Sequence, residues 1–164
     1  MAKQTESIAD LLLKLCKEFN KENVEYVIIG GFAMIFHGLP RLTQDIDIAV
    51  DITDNNMSKL KKVLKKIFND NSFNDINGDD FLEYSVIRYG TPNNFYIDFI
   101  YKIGEIADFN LLFSNKKFIT VENVDIPVLN EKMLIFLKEN SIRAKDKYDA
   151  YFLKEKIKGA ENGI

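Results

Sequence analysis

Tryptophan is absent from this chain, cysteine and histidine occur once each, and no apolar stretch is long. A single Cys16 cannot form an internal disulfide. It falls on the apolar side of a helical pattern, where a buried, inert thiol is expected and a reactive one is the alternative. No apolar run approaches the roughly 20 residues that cross a bilayer, so no membrane partner is expected. The N-terminus lacks the basic segment and apolar run of a secretory signal, which leaves the cytoplasm as the default compartment. Positive charge is not in excess: 22 Lys and Arg against 25 Asp and Glu give a net charge of −3. That removes any global reason to bind nucleic acid and leaves a local basic patch as the means. Repeats, linkers and low-complexity tracts are missing too.

What the chain does have is material for one core. Apolar residues make up 46% and charged residues 29% of its 164 positions, the balance of a soluble globular protein of one domain. The most informative stretch runs from Gly30 to Ile48. A β-rich run, Val24 to Ile29, delivers the chain to the pair Gly30-Gly31. Glycines at a strand-to-helix turn let backbone N–H groups face an anion at the helix N-terminus. Phe32 to His37 reads as a short helix ended by Gly38 and Pro40. Asp45 to Val50 then reads as a strand, with Asp45 and Asp47 on one face and Ile46, Ile48 and Val50 towards the core. Two carboxylates this close repel unless one is protonated or a cation sits between them. A hard ion such as Mg²⁺, or Mn²⁺ in its place, suits such oxygens and keeps waters that a phosphate can displace. A phosphate binder and a metal binder one short helix apart point to phosphoryl or nucleotidyl chemistry.

These residues resemble the signature of the nucleotidyltransferase superfamily with the DNA polymerase β-type core. That signature is Gly-Gly or Gly-Ser, a short helix, Asp-x-Asp on the next strand, and a third acid on a later strand. The local form, Gly-Gly-x-Ala, His-Gly, Arg-x-Thr and Asp-Ile-Asp, is similar to small prokaryotic nucleotidyltransferases that include the AbiEii-like toxins of type IV toxin–antitoxin systems. Where many members carry Gly-Ser and the serine contacts phosphate, Gly31 offers only its N–H. The third acid is expected at Asp98, amid Phe95, Tyr96, Ile97, Phe99, Ile100 and Tyr101. An acid there is expensive to bury alone. The alternative is that it pairs with Arg88 or a lysine, or faces solvent. The resemblance implies that it helps ligate metal and orients or deprotonates an attacking hydroxyl.

The remaining pattern is a coarse map. Residues 5–22 read as an amphipathic helix with Ser7 and Asp10 as an approximate capping box. Asp54 to Asp70 reads as a second, whose lysines (59, 61, 62, 65 and 66) form a solvated face or, more sharply, a platform for RNA or triphosphate. Residues 69–80 read as a loop. Phe81 to Tyr89 and Asn94 to Ile103 read as a hairpin about Gly90-Thr91-Pro92-Asn93. Ile106 to Phe113 reads as a short helix, and Lys117 to Val121 with Val124 to Val128 as a hairpin around Glu122-Asn123. Asn130 suits an N-cap for a helix from Glu131, with a break at Asn140-Ser141 and helix again to about Lys158.

In that last segment, Lys138, Arg143, Lys145, Asp146 and Asp149 resemble the late motif of the AbiEii-like enzymes. There the basic residues are thought to contact the nucleotide's phosphates. On an unbroken helix Lys138, Lys145 and Asp149 would share a face, which a kink at Ser141 would spoil. The alternative is an ordinary charged helix. His37 is expected to shape its turn rather than to act on metal or substrate. Arg41 and Thr43, between the glycines and the acids, are placed to reach a triphosphate or to satisfy loop backbone.

The expected fold is α/β (α+β): a mixed, mostly antiparallel sheet backed by helices, residues 1–128, with a helical C-terminal segment, 129–164, in the same domain. The expected activity is metal-dependent transfer of a nucleoside monophosphate from a nucleoside triphosphate to a hydroxyl of an RNA end (tRNA included), a protein or a small molecule. Asp45, Asp47 and Asp98 would hold metal and catalyse. Gly30, Gly31, Arg41, Thr43, Lys138, Arg143 and Lys145 would bind nucleotide. A toxin role and an antitoxin partner follow from the resemblance alone. The competing readings are an inactive, antitoxin-like binding partner of the same fold and, since Asp-x-Asp also binds sugar nucleotides, a glycosyltransferase.

Overall fold

A computed structural model describes residues 5–162; the first four and last two residues of the expected domain lie outside these. Helix α1 (Ile8–Lys21) starts at Ser7, whose hydroxyl accepts from the Asp10 N–H while the Asp10 carboxylate accepts from the Ser7 N–H. That reciprocal cap satisfies two N–H groups the helix cannot. The helix buries Leu11, Leu12, Leu15, Cys16 and Phe19, and burial pushes the Cys16 thiol up to about 12.

Strand β1 (Tyr26–Ile29), helix α2 (Gly30–Phe36) and strand β2 (Asp45–Val50) follow the expected order. Helix α3 (Asp54–Phe68) carries the lysines, several of which contact neighbouring structure while their side chains stay exposed. Lys62 pairs with Glu22, the C-cap of α1, at 3.0 Å, Lys66 with Glu18 of α1 at 2.6 Å, and Lys61 donates to the Asn74 carbonyl. Next come helix α4 (Gly78–Glu83), strands β3 (Ile87–Gly90), β4 (Tyr96–Ile100), β5 (Lys102–Ile103) and β6 (Ala107–Asp108), and helix α5 (Phe109–Ser114). Strands β7 (Lys116–Val121) and β8 (Val124–Leu129) form the expected hairpin. Glu122 and Asn123 both take positive φ, the backbone of a two-residue turn that matches strand twist. Helix α6 (Glu131–Glu139) is capped by Asn130, and α7 (Ala144–Glu161) follows a break at residues 140–143.

The main sheet has the order β3-β4-β2-β1-β8-β7. β1 runs antiparallel to β2 and parallel to β8, β2 is parallel to β4, and the outer pairs are antiparallel. This is the mixed, mostly antiparallel sheet expected, and every residue of β1 is buried. Leu134 of α6 and Leu153 of α7 belong to the same buried cluster as the strands. Among the described residues no helix is long and apolar enough to cross a membrane.

Three expectations need correction. Phe81 to Glu83 belongs to α4, not to a strand that begins at Phe81, and α4 opens at Gly78 inside the stretch read as loop. Asn77 accepts from the N–H groups of Asp79 and Asp80, and Asp80 caps back onto Asn77; this capping box outweighs the local β pattern. The strand read to Ile103 stops at Ile100, and β5 pairs only with β6 in a separate ribbon. The helix read from Ile106 begins at Phe109, because the Asp108 side chain caps it by accepting from Leu111.

Candidate active site

The alternation of β2 puts Asp45 and Asp47 on one face and buries Ile46 and Ile48 on the other. Parallel register then sets Asp47 beside Asp98 of β4, and Asp45 beside Tyr96. Antiparallel register sets Arg88 of β3 on the far side of Asp98. Arg88 closes a two-bond fork on Asp98, with Nε and Nη2 donating at 2.8 and 2.9 Å, and Nη2 also reaches Asp45 at 3.5 Å. Its guanidinium stacks 4.6 Å from the Tyr96 ring centroid. So Asp98 is buried, beside the other two acids, and paired with Arg88. Burial pushes the Asp47 carboxyl up to about 6, helped by the charges of Asp98 and Asp45, while the Gly31 N–H and Arg88 pull it back.

The glycine pair serves these acids directly. Gly30 has φ +67°, and a Cβ there would overlap the Asp47 carboxylate and lie 2.9 Å from its Cβ. Only glycine combines that left-handed backbone with such an approach. The Gly31 N–H, expected to face phosphate, faces Asp47, and a Cβ on Gly31 would come within 3.3 Å of the Thr43 hydroxyl. Thr43 Oγ1 in turn donates to the Asp45 carbonyl and accepts from the Asp45 N–H, at 3.1 and 3.3 Å. It serves loop backbone. The three acids supply the oxygen donors a hard cation takes. Among the described residues no three such side chains converge as a ready metal cage, and both Asp98 oxygens are on Arg88.

The late basic residues are divided by the α6–α7 break. Lys138 lies between Asp146 and Asp149, at 3.3 and 2.9 Å. Arg41, from the loop before β2, reaches the same Asp149 oxygen at 2.8 Å. Arg143 Nε and the Ser141 hydroxyl donate to Asp146 at 2.7 and 2.6 Å. The hydrogen bond to Asp146 raises the Arg143 pKa, and the charges of Asp149 and Asp47 add to it; Arg143 therefore lies within the field of the acid cluster. A recess of about 310 Å³ is lined by Gly30, Ile29, Leu134, Lys138, Ser141, Arg143 and Asp146 among others; Gly30, which touches Asp47, is its link to the acids of the sheet. Lys145 is not with them. It lines a second recess, of about 260 Å³, with Arg41, Tyr148, Asp149 and Phe152. The break at residues 140–143 removes the common face that an unbroken helix would give Lys138 and Lys145.

His37 is buried, with Nε2 donating to the Leu129 carbonyl at 2.8 Å and Nδ1 2.7 Å from Glu131. Nε2 ties the end of α2 to β8; burial lowers the pKa, and Nδ1 of the neutral ring accepts from Lys156 at 3.3 Å, with Glu131 alongside. Sequence reasoning had Arg88 only as one of several partners for Asp98, gave Asp146 no role beyond its motif, and had Asp149 as a motif residue or an exposed partner of Lys145, whereas it is buried on Lys138 and Arg41. The one available signal for Arg88 was the register of the hairpin that closes around residues 91–95.

The family model described as "Nucleotidyl transferase AbiEii toxin, Type IV TA system" matches residues 11–163 of this chain. Among curated proteins none matches in sequence. Of solved structures, the lincosamide antibiotic adenylyltransferase LnuA, with lincomycin bound, is similar over 93% of this chain and 98% of its own, at 17% identity and a TM-score of 0.57. An antigenic nucleotidyltransferase-like protein from Paracoccidioides brasiliensis covers 90% of this chain and 73% of its own, at 12% identity and a TM-score of 0.51.

Proposed function

Since the chain belongs to the AbiEii nucleotidyl transferase toxin family and is a nucleotidyltransferase, we propose that it moves a nucleoside monophosphate from a nucleoside triphosphate to an acceptor hydroxyl in a reaction that needs Mg²⁺ or Mn²⁺. The observation that carries this is the gathering of Asp45, Asp47 and Asp98 on adjacent strands, with Asp47 against Gly30, the residue that also borders a recess with Lys138 and Arg143 in its wall. Asp45 and Asp47, with Asp98, would hold the ions, which when bound supply Lewis-acid charge at the attacking and leaving oxygens.

The chain's own residues do the rest. Asp98, fixed by the Arg88 fork, accepts the hydrogen bond of the acceptor hydroxyl and takes its proton as that oxygen bonds to the α-phosphorus. The bond to the β-phosphate oxygen breaks, and pyrophosphate leaves. Arg143 spends Nε on Asp146 but keeps a 73% exposed side chain, so its remaining N–H groups face the phosphates, with Lys138 behind them as held charge. Gly30 and Gly31, with Thr43 holding the backbone before β2, shape the wall on which the triphosphate rests, and Arg41 and Lys145 lie further out, on the second recess.

Among acceptors, an RNA end is favoured by the outer face of α7. Tyr148 and Tyr151 are 61% and 63% exposed, one turn apart, with Lys145, Lys147, Lys154 and Lys158 exposed around them. Aromatic faces among cations suit unpaired bases and their phosphates. A toxin role and an antitoxin partner come with the family. The test is transfer from α-labelled ATP, CTP, GTP and UTP into a cell extract split into RNA, protein and small-molecule fractions, with Asp45→Ala/Asp47→Ala as control. Label in the RNA that vanishes in the variant is expected; label in another fraction would replace the acceptor. No transfer, with no nucleotide bound, would remove the catalytic reading.

A further inference from the structure

We infer that Arg88 is the acid cluster's internal counter-cation: it holds Asp98 and Asp45 while no divalent ion is bound, must withdraw from Asp45 when one loads, and so sets the affinity for the ion. This rests on the proposed reading of the three acids as a metal site. Three carboxylates on adjacent strands repel, and the positive side chain among them in the described residues is that of Arg88. Its contacts form one device. The fork on Asp98 fixes the guanidinium plane, the 3.5 Å reach to Asp45 bridges two strands, and the ring of Tyr96 supports the same group from one side. The side chains differ in freedom: Asp98 is 10% exposed, Arg88 52%. Arg88 also projects from β3, an edge strand. The acid therefore stays and the arginine has room to turn, with Tyr96 as its support once Asp45 is given up. Arg88 and a divalent ion want the same oxygens, so the residue that keeps the empty cluster together also competes with its ligand.

The measurement is Mn²⁺ binding, read as loss of the free-ion paramagnetic resonance signal, on the wild type, Arg88→Gln, Arg88→Lys and Asp47→Asn, each checked for folding by circular dichroism and thermal melting. Removing one positive charge a few ångströms from the site should tighten Mn²⁺ binding by Arg88→Gln about fivefold or more. Arg88→Lys keeps the charge but not the fork, and should lie between Gln and wild type. The metal-free Gln variant should melt below wild type and gain more from Mn²⁺. Equal or weaker binding in whichever of the two Arg88 variants folds, with binding lost in Asp47→Asn, overturns the role of Arg88 and leaves the metal reading standing. If neither wild type nor the Arg88 variants bind Mn²⁺, the acid-site reading itself fails and takes this inference with it.

Discussion

Two clusters of ionised side chains are linked through Gly30, which touches Asp47 and lines a recess with Lys138, Arg143 and Asp146, and they are balanced in opposite directions. On the sheet, Asp45, Asp47 and Asp98 share one Arg88. On the C-terminal helices, Asp146 and Asp149 are served by Lys138, Arg41 and Arg143. The titration of the acids follows. Burial raises Asp47 to about 6, and its charged neighbours add to that. Burial would raise Asp146 too, but Ser141 and Arg143, with Lys138, bring it down to about 2. On the proposed reading, the surplus of negative charge is where a cation would sit, and the surplus of positive charge, held on buried carboxylates, is where an anion would. The two surpluses are what a metal-bound triphosphate between them would cancel.

The hardest test of that contrast is Lys138→Ala. Among the described residues Lys138 is the one cation that touches both Asp146 and Asp149, and its side chain is 12% exposed. Taking it away leaves two buried carboxylates short of charge, beside an Asp149 Oδ1 that already lacks a partner. Stability to urea should fall by about 3 kcal/mol. A loss under about 1 kcal/mol, the scale of a surface pair, would mean that Lys138 is an ordinary exposed cation and that the contrast is one of count only.

How much of this was legible in the sequence differs by cluster. The acid cluster was largely visible, because its parts are local. Asp-Ile-Asp alternation carries strand and face together, β2 has the bounds expected of it, and the third acid stands inside an apolar strand pattern. What stayed open was the partner of Asp98: Arg88 stood beside a lysine or solvent as alternatives, and the choice depends on how two strands register across a turn. The basic cluster was legible as residue types and not as an arrangement. The Arg41–Asp149 pair joins positions 108 apart, and no helical spacing announces it. Lys138 meets Asp146 and Asp149 because the chain breaks between them; an unbroken helix would have put it on one face with Lys145 and Asp149, but about three turns from Asp149. The missed helix α4 has a different cause: a cap at Asn77 and Asp80 competed with a β-like run and won. Sequence periodicity reports the near contacts of one element; pairings between elements need the fold.

The second test separates the two glycines. Gly30→Ala forces a Cβ into Asp47 and a side chain into positive φ, so it should lower stability by about 2 kcal/mol and displace the acid. Gly31 has ordinary backbone and a 3.3 Å approach to Thr43, and Gly31→Ala should stay within about 1 kcal/mol of wild type. The pair is easily compared by denaturant melts. Equal losses would mean that the turn, rather than the approach of Asp47, requires both glycines.

The smallest effect is the most diagnostic, because the two clusters should tilt the pH profile in opposite senses. Asp47 binds its proton more tightly folded than unfolded, since about 6 lies above its ordinary 3.8. Between those values the folded chain carries the extra proton, so stability falls as pH rises from about 4 to about 6. Asp146 is the reverse: about 2 lies below 3.8, the unfolded chain carries the extra proton, and stability is lost as pH falls from about 4 towards 2. Metal-free protein followed by urea titration at each pH should therefore be most stable near pH 4, as far as these two acids decide it. Asp47→Asn should flatten the upper limb alone and Asp146→Asn the lower limb alone. If Asp47→Asn leaves the upper limb unchanged, the negative surplus on the sheet is already neutralised by Arg88, and the two clusters are more alike than their charges suggest.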